Sequence, residues 1–409
     1  MVIRRRDIFK CAAAALLPFG PDAWAAATAD AVPRRLIVIL LRGAVDGLNV
    51  VLPYAEAEYY QERGSIAIGP PGKPDGALLL DGHFGLHPAL ASLMPLWAES
   101  QLAFIHAAGS PDPTRSHFDA QLFLENGTPG QSMTRDGWMN RLLSALPSPH
   151  GPTDAVSLGP TLPRILAGKA MVASLPLGPK GTQPLPIDQA DVARAFDRVY
   201  AANDALGRSY REGRAARAEL IGALAKERQI ADNGAPPPAG FPGQAVRLAQ
   251  LIRHYPNIRL VAIGLGGWDT HVNQGNHKGQ LAERLRPLGE GLAAFARNSG
   301  EAWHDTIIVV LSEFGRTVRE NGNGGTDHGH GNVIWVLGGA VNGGRIYGEW
   351  PGLTASRLYQ SRDLAVTTDF RSAIAAVLER HLRLADHQLA SVFPDAPTPK
   401  PELAQIISG

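Results

Sequence analysis

Short, almost continuously apolar segments recur along the chain, and they constrain its fold more than any other feature. Leu36–Leu41, Ile258–Gly264 and Thr306–Leu311 lack the alternation of apolar and polar residues that marks a strand with one exposed face. Strands buried on both faces have this composition, and they occur in parallel sheets that helices cover. Leu102–Ala108 and Asn332–Leu337 are two further strands of the same kind.

Segments with helical spacing of apolar residues separate these strands. They are Pro88–Trp97, the stretch from His117 to Glu125, Ile187–Asp232, Gln244–Tyr255, His277–Asn298 and Thr368–Leu384. Apolar strands that alternate with amphipathic helices form a sheet with helices on either side. The sequence therefore predicts an α/β fold of three layers, with a mainly parallel sheet and helices on both faces.

Two regions rich in proline and glycine interrupt this pattern. Residues from about 145 to 190 are irregular and predict an excursion over the sheet edge or the site. Residues 233–240, NGAPPPAG, predict a linker-like break. Single α/β domains of this length occur, and we predict that residues 28–409 form one.

The amino-terminal residues have the composition of an export signal. Three arginines and a lysine within Arg4–Lys10 precede a short apolar run, and Ala23–Ala25 is a small-x-small cleavage sequence. The order resembles a twin-arginine signal, in which paired arginines precede a bulky apolar residue and a lysine. Residues 1–27 are therefore predicted to be a twin-arginine-type signal peptide, with an amphipathic helix as the alternative. The twin-arginine translocase is then a partner during export, and the mature chain is expected in the periplasm or another extracytoplasmic compartment.

Composition excludes several classes of function. The only cysteine, Cys11, falls inside the predicted signal peptide, so the mature chain has no thiol for disulfides or thiolate chemistry. A formal net charge of +1 lacks the positive excess of nucleic-acid-binding proteins, so no nucleic acid partner is expected. No apolar run reaches the roughly 18 residues that a transmembrane helix requires, and no membrane span is expected in the mature chain.

Carboxylate and imidazole side chains lie just beyond the carboxyl ends of the apolar strands, where an open α/β sheet normally has its ligand crevice. Asp269 and His271 are two residues apart, so in extended backbone they point to one side; His328 and His330 have the same spacing. Oxygen and imidazole ligands without thiolate suit a divalent cation such as Zn²⁺, Mn²⁺, Mg²⁺ or Ca²⁺. The predicted metal ligands are Asp46, Asp269, His271, Glu313, Asp327, His328 and His330.

Each of these side chains also has a structural interpretation. Asp46 would then cap a turn or a helix, and the imidazoles would be ordinary hydrogen-bond donors in a polar loop cluster. Two divalent cations about 3.5–4 Å apart would stabilise both the attacking and the leaving oxygen of an in-line displacement. Convergence of side chains from several strands is the structural requirement of that chemistry.

A hydroxyl group stands at the start of a predicted helix. Ser116 follows the strand Leu102–Ala108 and immediately precedes His117, where free backbone N–H groups and the helix dipole favour an anion. Ser116 is therefore a candidate nucleophile toward a phosphoryl or sulfuryl group, with Arg115 or His117 beside it. In the alternative interpretation, Ser116 only caps the helix.

Five segments together resemble the DUF1501 family of exported bacterial proteins, which is related to the alkaline phosphatase and sulfatase superfamily. They are LLRGAVDGLNVVLP, PTRSHFDAQ, GGWDTHVNQ, LSEFGRT and NGGTDHGHGN. The resemblance implies an alkaline phosphatase-like fold with Ser116 as the nucleophile. It implies ligands at Asp46, at Asp269 with His271 or the more distant His277, at Glu313, and at His328 or His330.

Two interpretations of the function follow. In the first, the protein is an exported metal-dependent hydrolase of a phosphate or sulfate ester, on a small molecule or a glycan, with Ser116 as nucleophile at a divalent-metal centre. In the second, it is a non-catalytic extracytoplasmic binding or assembly protein that retains the alkaline phosphatase-like fold. The second interpretation rests on Phe314, which stands where the superfamily pattern has a histidine ligand.

Overall fold

The computed structural model of the protein describes residues 34–147, 150–158, 162–175, 190–201, 206–208, 210–212 and 240–408. The predicted signal peptide, residues 1–27, lies outside the described residues. So do most of the predicted linker-like break at 233–240 and much of the predicted helix Ile187–Asp232. The predicted excursion at 145–190 is described in part.

Strands and helices alternate along most of the described chain. The strands are β1 (Arg35–Leu41), β2 (Val51–Leu52), β3 (Leu78–Leu79), β4 (Gly85–Leu86), β5 (Leu102–Gly109), β6 (Ala155–Leu158), β7 (Ala173–Ser174), β8 (Leu260–Leu265), β9 (Thr306–Leu311), β10 (Asn332–Gly338), β11 (Arg345–Tyr347) and β12 (Thr368–Asp369). The α-helices are α1 (Gly47–Val50), α2 (Ala57–Arg63), α3 (Met94–Ala98), α4 (His117–Asn126), α5 (Trp138–Ala145), α6 (Ala190–Val199), α7 (Phe241–His254), α8 (Gln280–Ser299), α9 (Phe370–Leu382) and α10 (Asp386–Val392). Short 3-10 helices cover Gly64–Ile66, Pro88–Leu93, Arg164–Leu166, Gly300–Trp303, Ala355–Arg357 and Leu403–Gln405.

Nine of the described strands form the central sheet, in the order β11–β5–β10–β9–β1–β8–β6–β7, with β12 paired to β5. Strand β1 lies parallel between β9 and β8, and β6 is parallel to both β8 and β7. Strand β10 is antiparallel to β5 and β9. The predicted mainly parallel sheet is confirmed. Because β10 is reversed, the residues that precede it lie at the same edge as the residues that follow β5 and β9.

Side chains of β1 alternate between the two faces of the sheet, and all seven residues of this strand are buried. Ile37 and Ile39 pack in one apolar core with residues of α7 and α8. Leu36 and Val38 pack in the opposite core with residues of α5 and α9. After Arg35, every residue of β1 is apolar, as burial on both faces of the sheet favours. The predicted three-layer α/β architecture is confirmed. Among the described residues, no helix combines the length and apolar composition needed to cross a membrane.

One predicted helix is divided. The segment Pro88–Trp97 forms a 3-10 helix, Pro88–Leu93, followed by α3. Leu90 departs from helical geometry, with φ −97° and ψ 18°. Pro95, at the start of α3, lacks the N–H group that would continue an α-helix through this point. The apolar spacing therefore identified the buried face of the segment without revealing the break in its backbone.

A buried neutral histidine makes the fold sensitive to acid. His106 in β5 has no exposed surface; its Nε2–H donates to the Val51 carbonyl oxygen (2.8 Å), and its Nδ1 accepts from the Ala107 N–H (2.9 Å). Burial lowers the pKa of His106 from 6.5 to about 4. A second ring proton would be desolvated and would face the Ala107 N–H, so the folded protein resists protonation here.

We expect the protein to lose stability as the pH falls from 6.5 to about 4. In that window the unfolded chain binds a proton at residue 106 and the folded chain does not, which removes about 3 kcal/mol from the free energy of unfolding. Urea denaturation of His106→Gln, which keeps a donor for Val51, should show a pH dependence smaller by about this amount. Identical pH dependence in the two proteins would contradict the prediction.

Candidate metal centre

Loops from distant parts of the chain meet at the edge where β1, β8 and β9 end. Asp269 follows β8, and Glu313 follows β9. His117 is the first residue of α4, after β5, and His328 precedes the antiparallel strand β10. The strand order therefore brings these side chains to one place, although they are widely separated in sequence.

Two glycines allow the loops to approach each other closely. Gly43, after β1, has φ 115°, and a Cβ there would lie 2.8 Å from the backbone nitrogen of Asp269. A Cβ on Gly325 would lie 2.4 Å from the carbonyl carbon of His271. A side chain at either position would separate the loops that carry the site, which explains the glycine-rich composition of these segments.

Two imidazoles and a carboxylate form the centre of the site. One ligand atom from each of His117, Asp269 and His328 lies within 4.8 Å of the other two. Asp269 Oδ1 is 3.7 Å from His117 Nε2 and 3.4 Å from His328 Nε2. Two atoms bound to the same tetrahedral zinc at ~2.0–2.1 Å lie about 3.3 Å apart. The spacing of these atoms therefore fits a single cation between them.

A third imidazole borders the same three groups. His271 Nε2 is 3.0 Å from Asp269 Oδ1 and 2.9 Å from His328 Nε2. The predicted convergence of Asp269 and His271 to one side is consistent with these distances. Asp269 keeps 45% of its side chain exposed, so the cluster is open to solvent and accessible to a ligand.

Each imidazole is oriented by a partner at its other ring nitrogen. His117 Nδ1 donates to Glu313 Oε1 (2.8 Å), and His271 Nδ1 donates to Asp327 Oδ1 (3.3 Å). His328 Nδ1 donates to the carbonyl oxygen of Arg115 (2.9 Å). Histidines that bind metals usually have such a partner, which fixes the tautomer and leaves Nε2 free to coordinate.

In these tautomers Nε2 of each imidazole carries a lone pair, and all three Nε2 atoms lie within 3.7 Å of Asp269 Oδ1. His117 Nε2 is buried and has no hydrogen-bond partner among the described residues. The two neutral rings of His271 and His328 would place lone pairs 2.9 Å apart, which requires a proton or a cation between them. The donor set therefore fits a bound divalent cation.

Glu313 orients His117 from the side of the ring opposite Nε2. Its Oε1 accepts hydrogen bonds from His117, from the Gly43 N–H (2.8 Å) and from Gln121 Nε2 (3.0 Å). Burial by itself would raise the pKa of Glu313, but these donors outweigh it and lower the pKa. The same contact raises the pKa of His117, because the anionic carboxylate stabilises the imidazolium form. Glu313 was predicted as a metal ligand; its contacts place it behind His117.

Arg316 joins the loops beneath the cluster. Its guanidinium is buried and donates to the carbonyl oxygens of Ala44 (2.7 Å), Gly43 (2.6 Å) and Thr326 (3.1 Å). It also forms an ion pair with Asp269 Oδ1. Burial favours a raised pKa for Asp269, and the hydrogen bond and charge of Arg316 more than offset this and lower it.

Phe314 supplies an apolar floor for two of the imidazoles. Its ring is 3% exposed and packs with Ala44 and Ala120. Its centroid is 4.9 Å from that of His117 and 5.1 Å from that of His328. At the position where the sequence resemblance implied a histidine ligand, the chain thus has a packing residue.

Ser116 lies between two residues that contact the cluster. It is exposed, and its Oγ caps α4 by accepting a hydrogen bond from the Asp119 N–H (3.4 Å). The Arg115 carbonyl binds His328, whereas the Arg115 guanidinium forms an ion pair with the buried Asp363 (2.6 Å). The backbone of Arg115, and not its predicted catalytic side chain, therefore borders the site.

Two predicted ligands lie outside the cluster that the described residues form. Asp46 is buried, and its Oδ2 is bound by Arg63 and Gln274. His330 is 8% exposed, and its ring packs on Tyr359 with a centroid distance of 4.7 Å. His328 and His330 are two residues apart, as Asp269 and His271 are, but the His330 side chain does not reach the cluster. Its ring packs against Tyr359 instead.

Several residues that build the site were missed from the sequence. Gln121 lies four residues after His117 on α4 and binds Glu313, so the helical repeat could have identified it. Arg63 and Gln274 gave no comparable signal, because their partner Asp46 is distant in sequence and no spacing rule connects them.

The chain is similar to several solved structures at low sequence identity. The C-terminal periplasmic domain of EcEptC from Escherichia coli, in complex with Zn, is 12% identical with a TM-score of 0.34, over 75% of this chain and 72% of that chain. The lipoteichoic acid synthase LtaP from Listeria monocytogenes is 11% identical with a TM-score of 0.34, over 77% and 69%. The PsFucS1 sulfatase from Pseudoalteromonas sp. is 12% identical with a TM-score of 0.36, over 92% and 72%. Sequence identities and TM-scores this low do not indicate the activity of this chain.

No curated protein matches the sequence. The family model described as a protein of unknown function, DUF1501, matches residues 33–393. This match covers most of the chain and includes all five segments that carry the resemblance. The chain therefore belongs to the DUF1501 family.

Proposed function

We propose that the protein is an exported metal-dependent hydrolase of a phosphate or sulfate ester. The observation that carries this proposal is the convergence of His117, His271 and His328 with Asp269 beside an exposed serine at a helix start. Each imidazole keeps Nε2 toward the centre and has an acceptor at Nδ1. Imidazoles whose Nδ1–H groups are held by an acceptor in this way are typical of metal sites.

The chemistry of these donors narrows the choice of cation. His117, His271 and His328 supply imidazole nitrogens, and Asp269 supplies the carboxylate. Imidazole-rich sites favour zinc and similar transition ions, whereas Mg²⁺ and Ca²⁺ prefer oxygen ligands. When bound, the cation would polarise an ester oxygen and lower the pKa of a nearby hydroxyl.

Ser116 is the nucleophile in this proposal. It caps the ten-residue helix α4, whose free N–H groups stabilise an anion at this position. Its Oγ would form a bond to phosphorus or sulfur as the ester alcohol leaves, and the serine proton would end on that alcohol. Water would then release phosphate or sulfate and restore the hydroxyl.

Replacing Ser116 separates its two roles. Ser116→Asn keeps a side chain suited to the helix cap and removes the hydroxyl, so we expect an unchanged fold and a fall in kcat of at least about 10³-fold. Ser116→Thr is the matched control, because it keeps both the hydroxyl and the cap. The assay is hydrolysis of p-nitrophenyl phosphate, bis-p-nitrophenyl phosphate and p-nitrophenyl sulfate by zinc- or manganese-loaded protein. Full activity in Ser116→Asn would assign Ser116 to capping alone.

A non-catalytic binding or assembly protein is the second candidate. Phe314, in place of an expected ligand, and the closed ion pair of Asp46 with Arg63 favour it. Under this alternative, the purified protein would hold a stoichiometric cation and show no turnover on any of the three esters. Measurable turnover that depends on Ser116 would exclude it.

Export places this activity outside the cytoplasm in our proposal. The arginines at positions 4–6 and the apolar run that follows support a twin-arginine-type signal in residues 1–27. We expect that lysines in place of Arg5 and Arg6 would retain the precursor in the cytoplasm, because the translocase reads the arginine pair. Cell fractionation with immunoblotting measures this, and unchanged export of the variant would contradict the twin-arginine assignment.

A further inference from the structure

Asp46, which was predicted as a metal ligand, lies in the loop between β1 and α1. It has no exposed surface. Its Oδ2 forms an ion pair with Arg63 and accepts a hydrogen bond from Gln274 Nε2 (2.6 Å). Its Oδ1 has no hydrogen-bond partner among the described residues. Arg63 therefore neutralises the charge of this carboxylate, and both Arg63 and Gln274 bind it at Oδ2.

Arg63, which neutralises Asp46, is itself buried and bound by several groups of the protein. Its side chain has no exposed surface. Nη1 donates to Asn49 Oδ1 (3.1 Å) as well as to Asp46, and Nη2 donates to the Thr317 carbonyl oxygen (3.1 Å). The guanidinium also lies 6.0 Å from the centroid of the Tyr59 ring. A buried cation with these contacts cannot turn away into solvent to make room for a metal ion.

Gln274 connects this ion pair to the loops that carry the metal centre. Its Oε1 accepts hydrogen bonds from Thr270 Oγ1 (2.8 Å) and Thr326 Oγ1 (3.0 Å). Thr270 lies between Asp269 and His271 in the sequence, and Thr326 precedes Asp327. Through its Oδ2, the Asp46 carboxylate thus supports the loops that carry Asp269, His271 and Asp327.

We infer that the protein binds one divalent cation per chain, and that Arg63 supplies at Asp46 the positive charge that a second cation would otherwise supply. This inference rests on the cation site of the proposed function. A second cation at Asp46 would share a fully buried carboxylate with a buried guanidinium, and two positive charges in contact in a desolvated site repel strongly. Asp269 also pairs with a buried guanidinium, that of Arg316, but the Asp269 side chain is 45% exposed, so solvent weakens the repulsion between Arg316 and a cation there. Asp46, Arg63 and Gln274 are therefore positioning residues for the loop with Asp269 and His271.

Zinc and manganese titration of the purified mature chain tests this stoichiometry. Isothermal titration calorimetry, with elemental analysis after gel filtration, should give one equivalent of tightly bound cation. Asp46→Asn should retain that equivalent, whereas His117→Ala should lose it. Two equivalents in the native chain, or loss of the single equivalent in folded Asp46→Asn, would overturn the inference. No bound cation in the native chain would instead overturn the proposed metal centre itself, so the two failures are distinct.

A paired variant covers the case in which Asp46→Asn fails to fold. Asp46→Leu with Arg63→Met removes both charges and leaves apolar groups of similar size, which commonly preserves a fold when the single change does not. We expect this double variant to bind one equivalent of zinc with its thermal midpoint above that of Arg63→Met. If the double variant is folded and binds no zinc, Asp46 is a ligand and the inference is wrong. If neither variant folds, the stoichiometry of the native chain decides.

Discussion

Replacing His328 with alanine should abolish tight cation binding, whereas the same replacement of His330 should leave it intact. His328 Nε2 lies 3.4 Å from Asp269 Oδ1 and 2.9 Å from His271 Nε2, so it faces the centre of the cluster. His330 packs on Tyr359 and contributes no atom to the cluster. The two variants change the same residue type in the same loop, so their difference isolates the contribution of ligand geometry.

We expect the dissociation constant for zinc to rise by more than about 100-fold in His328→Ala, beyond the 10–100-fold range for residues that only orient a ligand. In His330→Ala it should change by less than about threefold, since nothing that orients the cluster is removed. Competition with a chelator of known affinity measures both constants. Equal weakening in the two variants would show that loop disruption, and not coordination, accounts for the loss.

Replacing Arg316 with methionine should strongly destabilise the protein. Arg316 is 1% exposed, and its guanidinium is the hydrogen-bond donor for the carbonyl oxygens of Gly43, Ala44 and Thr326. Methionine would leave these acceptors without a partner and would remove the cation beside Asp269. Unpaired buried polar groups and a broken ion pair predict a loss of about 3–5 kcal/mol in the free energy of unfolding.

Arg319 provides the matched control for this experiment. It lies three residues later, 75% of its side chain is exposed, and it forms a surface ion pair with Glu62. Exposed ion pairs contribute little to stability, so Arg319→Met should be close to the native protein in urea denaturation. A loss below about 1 kcal/mol for Arg316→Met as well would contradict the structural role assigned to Arg316.

The strands were predictable because short, continuous apolar runs between turn residues are typical of strands buried on both faces. The strand predicted at Thr306–Leu311 has the same bounds in the structure, and the one predicted at Leu102–Ala108 extends by one residue. The reversed direction of β10 could not be predicted, since a buried antiparallel strand has the same composition as a parallel one. That reversal places His328 at the edge where β9 ends.

Residue type and position after a strand identified side chains that lie close together, but not the contacts of each one. Asp269 and His328 face the centre, whereas Glu313 and Asp327 lie behind the imidazoles and orient them. A carboxylate that binds a cation and one that binds a histidine have the same residue type and the same position after a strand. Asp46 shows the limit most clearly, because its partner Arg63 comes from a separate helix and cancels its charge.

Zinc binding by the purified mature chain, observed by X-ray absorption spectroscopy, tests the metal centre most directly. We predict one tightly held ion with a nitrogen and oxygen coordination shell, the multiple-scattering signature of at least two imidazoles, and no sulfur. The spectrum should disappear in a folded His117→Ala, His328→Ala double variant. A native chain that remains free of metal after addition of zinc, manganese and calcium, or a double variant that binds zinc as the native chain does, would contradict the proposed metal centre.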